Sequence, residues 1–365
     1  MKKLGIGVVG CGAIGPAHAQ AAQELEETRL VAVCDVREDK ARDLAQRFGV
    51  DWYTDYEKML ERDDIDIVSI CVPSGMHADF GIKAAKAKKH IICEKPLDIS
   101  LDKCDALIEA AKENNVKLGC IFQRRFTEEI KFMKGLVEEG RLGKIVLADM
   151  DMKIYRSQAY YDSGDWRGTW RLDGGGCLMN QGVHFVDSFL WIMGPVEWVE
   201  AEIGTLAHNI EVEDTAVAIL KFKNGAFGAI KATTSAYPGI GARISIAGYK
   251  GSAIWKEEPE GSLPGEIAFL EIEGQKKEEK EEQRKLEKGA EEGGLIPFAG
   301  AGVFRYHLLN MRDIIRAIIE DREPLITGEE ARKAVELILA IYESARRKER
   351  VYLPLKIERR RYEIL

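Results

Sequence analysis

Short apolar runs alternate with amphipathic stretches over the first third of the chain. Residues 3–10, KLGIGVVG, predict a buried strand. Residues 16–27 predict a helix and 30–34 a second strand. Further helices are expected at 39–48, before Lys88 and at 101–114, with strands at 65–72, 90–93 and 117–122. Strand and helix in strict alternation predict a parallel sheet with crossover helices.

The pattern changes after Gln123. A helix at 128–139 leads to a long alternating strand at 145–155. The stretch 174–194 reads as glycines followed by an apolar helix. Strands are expected at 196–206, 214–222, 226–235 and 243–247, the middle pair joined by Lys223-Asn224-Gly225, a hairpin signal. Strands following one another without helices predict a largely antiparallel sheet. Helices at 304–320 and 328–347 and a short strand at 351–353 close the chain. The division is therefore an α/β domain at 1–122 and an α+β domain at 123–365. Residues 256–300 stand apart, because 271–292 is dominated by Glu, Lys, Gln and Arg. That stretch reads as a solvated excursion of the sheet, a long hairpin or loop.

Between the first strand and helix lies Gly10-Cys11-Gly12-Ala13-Ile14-Gly15, a G-x-G-x-x-G turn with Asp35 twenty residues beyond it. This is the dinucleotide-binding fingerprint. The glycines admit a tight turn and close approach of a pyrophosphate, and the helix N-terminus offers free N–H groups. Gly10, Gly12, Ala13 and Ile14 are the expected phosphate contacts. Asp35 accepts ribose hydroxyls and repels a 2′-phosphate, so NAD is expected over NADP, with Arg37 leaving room for dual use. Val72, Pro73, Ser74 and His77 form a turn at the C-terminal edge of the same sheet, where such folds bind ligands. Glu94 and Lys95 end another strand there. Lys95 either hydrogen-bonds a substrate hydroxyl beside the nicotinamide or forms an ion pair with Glu94 or another neighbour.

Composition narrows the class. The 365 residues are 45% hydrophobic and 31% charged, with a net charge of −8. No basic aromatic stripe favours nucleic acid, and no apolar run reaches a membrane span. The seven cysteines include no C-x-x-C pair and read as reduced core residues of a cytoplasmic protein. The basic, apolar N-terminus is broken by glycines and runs into a strand–turn–helix pattern, so export is not expected. Eight Gln and six Asn against abundant Glu, Lys and Arg suggest a thermophilic source. Histidines show no metal-ligand spacing.

Asn180, His184 and Asp187 follow at i, i+4 and i+7, expected on one helix face. His184 is either a core histidine or an acid, base or substrate ligand. Residues 160–171 hold two Tyr, two Trp and two Arg, suited to rings, phosphates and carboxylates or else to an oligomer contact. Tyr155, Tyr160 and Arg171 join the substrate candidates, as does His307, which faces either a cleft or solvent.

The chain resembles the glucose–fructose oxidoreductase / inositol dehydrogenase / rhizopine-catabolism family (Gfo/Idh/MocA). The carriers are GCGAIG at 10–15, CDVRE at 34–38, VPSGMH at 72–77, CEKPL at 93–97, QRRF at 123–126, WRGTWRLDGGG at 166–176 and MNQGVHFVD at 179–187. The resemblance implies a Rossmann domain followed by an α+β domain whose open sheet mediates dimers or tetramers. It implies that Lys95 and His184 flank the substrate below the nicotinamide, and that Trp166 and Arg167 close over the cofactor. Inositol dehydrogenase-like members carry Asp four residues before the histidine; Asn180 stands there in this chain. The Met-Asn-Gln-Gly form is similar to members acting on nucleotide sugars.

These readings lead to an NAD-dependent oxidoreductase for a secondary alcohol or ketone on a cyclic polyol, sugar or derivative. Lys95, His184 and Asn180 are its catalytic candidates. A UDP-N-acetylhexosamine 3-dehydrogenase is the alternative, with Arg124, Arg125, Arg156 and Arg171 as diphosphate donors. A cofactor retained through net hydrolysis or epimerisation, and a non-catalytic NAD and sugar sensor, are further alternatives.

Overall fold

The computed structural model describes residues 3–258, 263–274 and 301–355. The chain forms two compact units, Met1–Phe122 with Phe304–Arg332, and Gln123–Val303 with Lys333–Leu365. Most of the charged stretch 271–292 lies outside the described residues.

In the first unit, β1 (Leu4–Val9), β2 (Thr28–Cys34), β3 (Asp51–Tyr53), β4 (Ile67–Ile70), β5 (His90–Cys93) and β6 (Leu118–Cys120) alternate with α1 (Gly15–Glu24), α2 (Glu38–Phe48), α3 (Tyr56–Leu60), α4 (His77–Lys86) and α5 (Leu101–Glu113). The sheet is parallel throughout, in the order β3-β2-β1-β4-β5-β6. This is the Rossmann order, whose direction reverses between β1 and β4. Ile6, Val8, Ile67, Val68, Ile91 and Ile92 are wholly buried, as strands covered on both faces require. The sequence pattern did not reveal β3 and α3, each five residues or fewer.

The second unit contains α6 (Glu128–Glu138), β7 (Ile145–Lys153), α7 (Gln158–Asp162), a π-helical turn at Cys177–Gly182, α8 (Val183–Met193) and the strands β8 (Val196–Gly204), β9 (Thr215–Phe222), β10 (Phe227–Thr233), β11 (Gly241–Gly248), β12 (Gly251–Glu257) and β13 (Glu266–Ile272). The chain then forms α9 (Ala301–Ile319), α10 (Gly328–Arg347) and β14 (Val351–Tyr352). The eight-stranded sheet runs β13-β12-β11-β7-β10-β9-β8-β14. Only β7 and β10 pair in parallel. One face buries Met150, Leu220, Ile230, Ile244 and Trp255 against the helices. The other exposes Leu147, Val217, Ile219, Phe227 and Phe269.

One segment departs from the expected continuous second domain. Phe304–Arg332 groups with the first unit. Asn310 of α9 accepts the Phe122 N–H at 2.8 Å, and the Cys120 N–H donates to Ile326 O at 3.0 Å. The chain thus returns to satisfy the free edge of β6. Thr327 caps α10 by accepting the Glu330 N–H.

Candidate functional site

The glycine turn sits at the point where the first sheet reverses direction. Gly10 adopts φ +95°, and a Cβ there would meet Cys71 O at 2.4 Å. At Gly15 a Cβ would stand 2.1 Å from Gly10 O, so this glycine lets helix and strand approach. Gly12 is different: nothing lies within 4 Å of its Cβ position. The protein's own packing does not need that glycine, but a pyrophosphate lying on the backbone does. Ala13 is exposed and Ile14 precedes α1, which has a proline in its first turn, no side-chain cap and no acidic residue there. Its positive end is therefore left for an anion.

Asp35 follows β2. Its Oδ2 accepts the Cys11 N–H at 2.8 Å and its Oδ1 the Arg37 N–H at 2.9 Å, so it is fixed beside the turn. Each oxygen keeps a second lone pair for a ribose hydroxyl. Arg37 turns to Asp39, at 2.7 Å. These residues fit a dinucleotide. Val72 and Pro73 are half-buried and Ser74 is buried. His77, an expected cofactor contact, is buried at the sheet edge. Its ring is 1% exposed and bridges Pro96 O (Nδ1, 2.6 Å) and Val72 O (Nε2, 2.9 Å), joining two turns at the sheet edge.

Lys95 leaves the sheet at the end of β5, half-buried. Glu94, also an expected cofactor contact, precedes it. Its carboxylate faces inward, where Oε1 accepts from His18 Nε2 and His307 Nε2, each at 2.8 Å. Burial works against ionisation there, but the two histidines hold Glu94 well below the usual carboxylate range. Burial lowers His18. His307 is neither solvent-facing nor open to substrate through Nε2: it is 4% exposed in this cluster. No spacing rule reveals the grouping, since 213 residues separate Glu94 from His307. Its ligand-type atoms lie within 4.8 Å of one another. Burial also pushes the Cys11 and Cys34 thiols up to about 12, so both are inert core groups.

In the second unit, Asn180 lies in the π-helical turn and His184 in α8, both half-buried. The turn interrupts the α-helical spacing on which a single polar face was expected. Asp187 points instead to Arg125, which grips it through Nε and Nη2 at 2.8 and 2.6 Å in the core. Arg124, an expected substrate contact, is also held by a carboxylate. It is bound to Glu257 at 2.6 Å and stacked 4.1 Å from the centre of the Phe185 ring, so carboxylates already engage two of the four expected phosphate donors.

Around Asn180 a polar network converges. Its Nδ2 donates to Asp173 Oδ1 at 2.6 Å, and its Oδ1 accepts from Gln181 Nε2 at 2.8 Å. Tyr160 Oη donates to the same Oδ1 at 3.4 Å and accepts from Arg167 Nη1 at 2.7 Å. Arg156 bonds Gln181 Oε1 at 3.0 Å. Arg167 lies over both Tyr160 and Trp166. Burial pushes the Tyr160 phenol up, so it stays neutral. Arg171 is exposed, and Tyr155 packs edge-on against Tyr237.

Asp173, Gln181 and Glu213 escaped the sequence reading. Asp173 directly precedes the three glycines, the one available signal. Glu213 pins the start of the π-helical turn by accepting the Gly176 and Leu178 N–H groups and the Tyr342 hydroxyl at 2.8–2.9 Å. Burial pushes its carboxyl up to about 7.

Residues 4–122 match the family model described as "Oxidoreductase family, NAD-binding Rossmann fold", and 134–353 match the "C-terminal alpha/beta domain" of the same family. Myo-inositol 2-dehydrogenase of Thermotoga maritima is 35% identical over 253 residues, 67% of this chain and 73% of that one. The WlbA dehydrogenase of Bordetella pertussis, solved with NADH and UDP-GlcNAcA, superposes with a TM-score of 0.86 at 31% identity, over 97% of this chain and 100% of that one. Its counterpart from Chromobacterium violaceum, solved with the same pair, gives 0.87 at 32% identity, covering 98% of each. With both domain models matched, the chain is an oxidoreductase with an NAD-binding Rossmann domain and belongs to the Gfo/Idh/MocA family.

Proposed function

We propose that this protein is an NAD-dependent dehydrogenase interconverting a secondary alcohol and a ketone on a cyclic polyol, sugar or sugar derivative. The observation that carries the reading is a lysine at the C-terminal end of β5, two strands from a glycine turn with one open glycine. The inositol and sugar dehydrogenases among its relatives support it. Gly10, Gly12, Ala13, Ile14 and Asp35 would hold NAD, which when bound supplies the hydride acceptor or donor. His184 takes the hydroxyl proton in oxidation and returns it in reduction. The Lys95 ammonium stabilises charge developing on the same oxygen. Asn180, oriented by Asp173, positions the substrate. Following the family resemblance, Trp166 and Arg167 would close over the cofactor.

The test is NADH formation with myo-inositol, scyllo-inositol, free sugars, UDP-N-acetylglucosamine and UDP-N-acetylglucosaminuronate. Turnover of an inositol or sugar supports the main reading. Lys95→Met is expected to abolish it and leave NAD binding intact; normal turnover would refute the role of Lys95.

A nucleotide-sugar substrate is the second reading. The two structural relatives bound to UDP-GlcNAcA and the amide at Asn180 favour it. Arg156 and Arg171 are its remaining cationic candidates. Turnover confined to UDP-sugars would select it. Silence across the panel with NAD bound would turn attention to a retained cofactor or a sensor.

The apolar face of the second sheet supports a homodimer or homotetramer. Among the described residues, no helix is long and apolar enough to cross a membrane. Ile219→Lys should reduce the mass seen by light scattering; a monomeric wild type would refute the assembly.

A further inference from the structure

We propose that Glu94 is a positioning residue for Lys95, held by His18 and His307 so that one buried carboxylate sets where the lysine leaves the sheet. The functional weight of this inference rests on the role given to Lys95 above.

Three parts of the chain meet at this carboxylate, and a fourth stands behind one of them. Glu94 Oε1 receives His18 from α1 and His307 from α9. Glu94 Oε2 receives the Lys95 N–H at 3.1 Å. Behind them, His18 Nδ1 lies 2.6 Å from Ser69 Oγ on β4. A carboxylate can only accept, so the proton of His18 sits on Nε2 and Nδ1 accepts from the serine hydroxyl. Three N–H donors are thus matched to two acceptor oxygens, and the tautomer of one donor is set from behind.

Burial makes this arrangement informative. His18, Ser69, Glu94 and His307 are 0, 0, 5 and 4% exposed. An ionised carboxylate withdrawn from water is costly unless fully bonded, and an apolar replacement of such a cluster is often neutral or stabilising. A strand end that needed only to be packed would be served by an apolar side chain, as Cys93 and Cys120 serve beside it. What the carboxylate adds is a fixed Lys95 peptide at the C-terminal edge of the sheet. The same atoms are of metal-ligand type. However, the 2.8 Å contacts are those of N–H···O bonds, whereas tetrahedral ligands about 2.1 Å from an ion stand about 3.4 Å apart.

The experiment follows Lys95 itself and needs no substrate. Lysines of the full chain are ¹³C-dimethylated, and the Lys95 resonance is identified by its loss in Lys95→Arg. In Glu94→Gln the amide offers one oxygen, so an NH₂ group faces either the histidines or the Lys95 N–H, donor against donor. The Lys95 resonance is expected to move toward the exposed-lysine position. His307→Leu removes one donor and should do the same. His307→Gln retains a donor and should leave the resonance in place. NADH binding and melting temperature report whether each variant is folded. If Glu94→Gln does not fold, the two His307 variants decide. A Lys95 resonance unmoved in folded Glu94→Gln or His307→Leu would overturn the proposal. On the panel compound that wild type oxidises, kcat should fall about 100-fold in His307→Leu with the KM for NAD unchanged. Normal turnover by Lys95→Met would instead refute the catalytic reading and leave the resonance result standing.

Discussion

The glycine turn makes two residues of one motif separable. In Gly15→Ala the new methyl would begin 2.1 Å from Gly10 O, against an ordinary contact of 3.4–4 Å. Both partners are backbone, so no side chain can rotate away and more than 1 Å must be found by moving β1 against α1. Overpacking of this kind costs about 3 kcal/mol. For a domain of this size that lowers the melting temperature by roughly 6–12 °C. In Gly12→Ala the methyl meets nothing. Stability should stay within about 0.5 kcal/mol of wild type. The methyl instead enters the space over which a pyrophosphate lies, and the dissociation constant for NADH should rise at least tenfold, about 1.4 kcal/mol. Thermal unfolding without cofactor and fluorescence titration with NADH measure the two effects. Wild-type NADH affinity in Gly12→Ala would mean that the pyrophosphate does not lie on this turn. Wild-type melting in Gly15→Ala would refute the close approach of helix and strand.

Asp35→Ala removes the carboxylate that opposes a 2′-phosphate, and the preference for NAD over NADP should fall by at least about tenfold; an unchanged ratio would refute its role. Glu213 has a folded pKa of about 7, above its usual 4.5, so the folded state binds its proton more tightly. Stability should therefore fall as pH rises from about 4.5 to 7 and then level, by about 3 kcal/mol in all, and Glu213→Gln should remove that slope. Parallel stability curves for the two proteins would contradict the buried acid. Asn180→Asp would set a second carboxylate against Asp173, where both cannot ionise. Its melting temperature relative to wild type should drop between pH 5 and 8; a constant difference would place Asp173 elsewhere. Asp187→Asn removes the charge partner of buried Arg125 and should cost 3–5 kcal/mol in urea unfolding. A loss below about 1 kcal/mol would show that the pair is dispensable.

Local pattern was enough for much of the molecule. The strand, G-x-G-x-x-G turn and helix of residues 4–24 are contiguous, and the acid that completes the motif lies twenty residues on. Alternating strands and helices predicted the parallel sheet, and successive strands predicted the open one. Lys95 was recognisable because it ends a short apolar strand. Some contacts of the candidate residues are remote in sequence. Arg124 and Arg125 look like phosphate ligands in QRRF, yet Glu257 and Asp187, 133 and 62 residues away, hold them. His307 sits in an amphipathic helix without any sign that its partner is Glu94.

Residue type and spacing alone determined that this chain has a dinucleotide turn, a lysine at a sheet edge and two domains of different class. Those features depend on backbone geometry and periodicity within a few residues. The tertiary structure decided which polar groups remain for chemistry. It engaged His77, Glu94, His307, Arg124 and Arg125 in buried bonds, oriented the Asn180 amide through Asp173, and interrupted the helical spacing before His184 with a π-helical turn tied to Glu213. The physical reason is that a buried polar group must find a partner wherever the fold supplies one, and no local pattern records which distant residue that is.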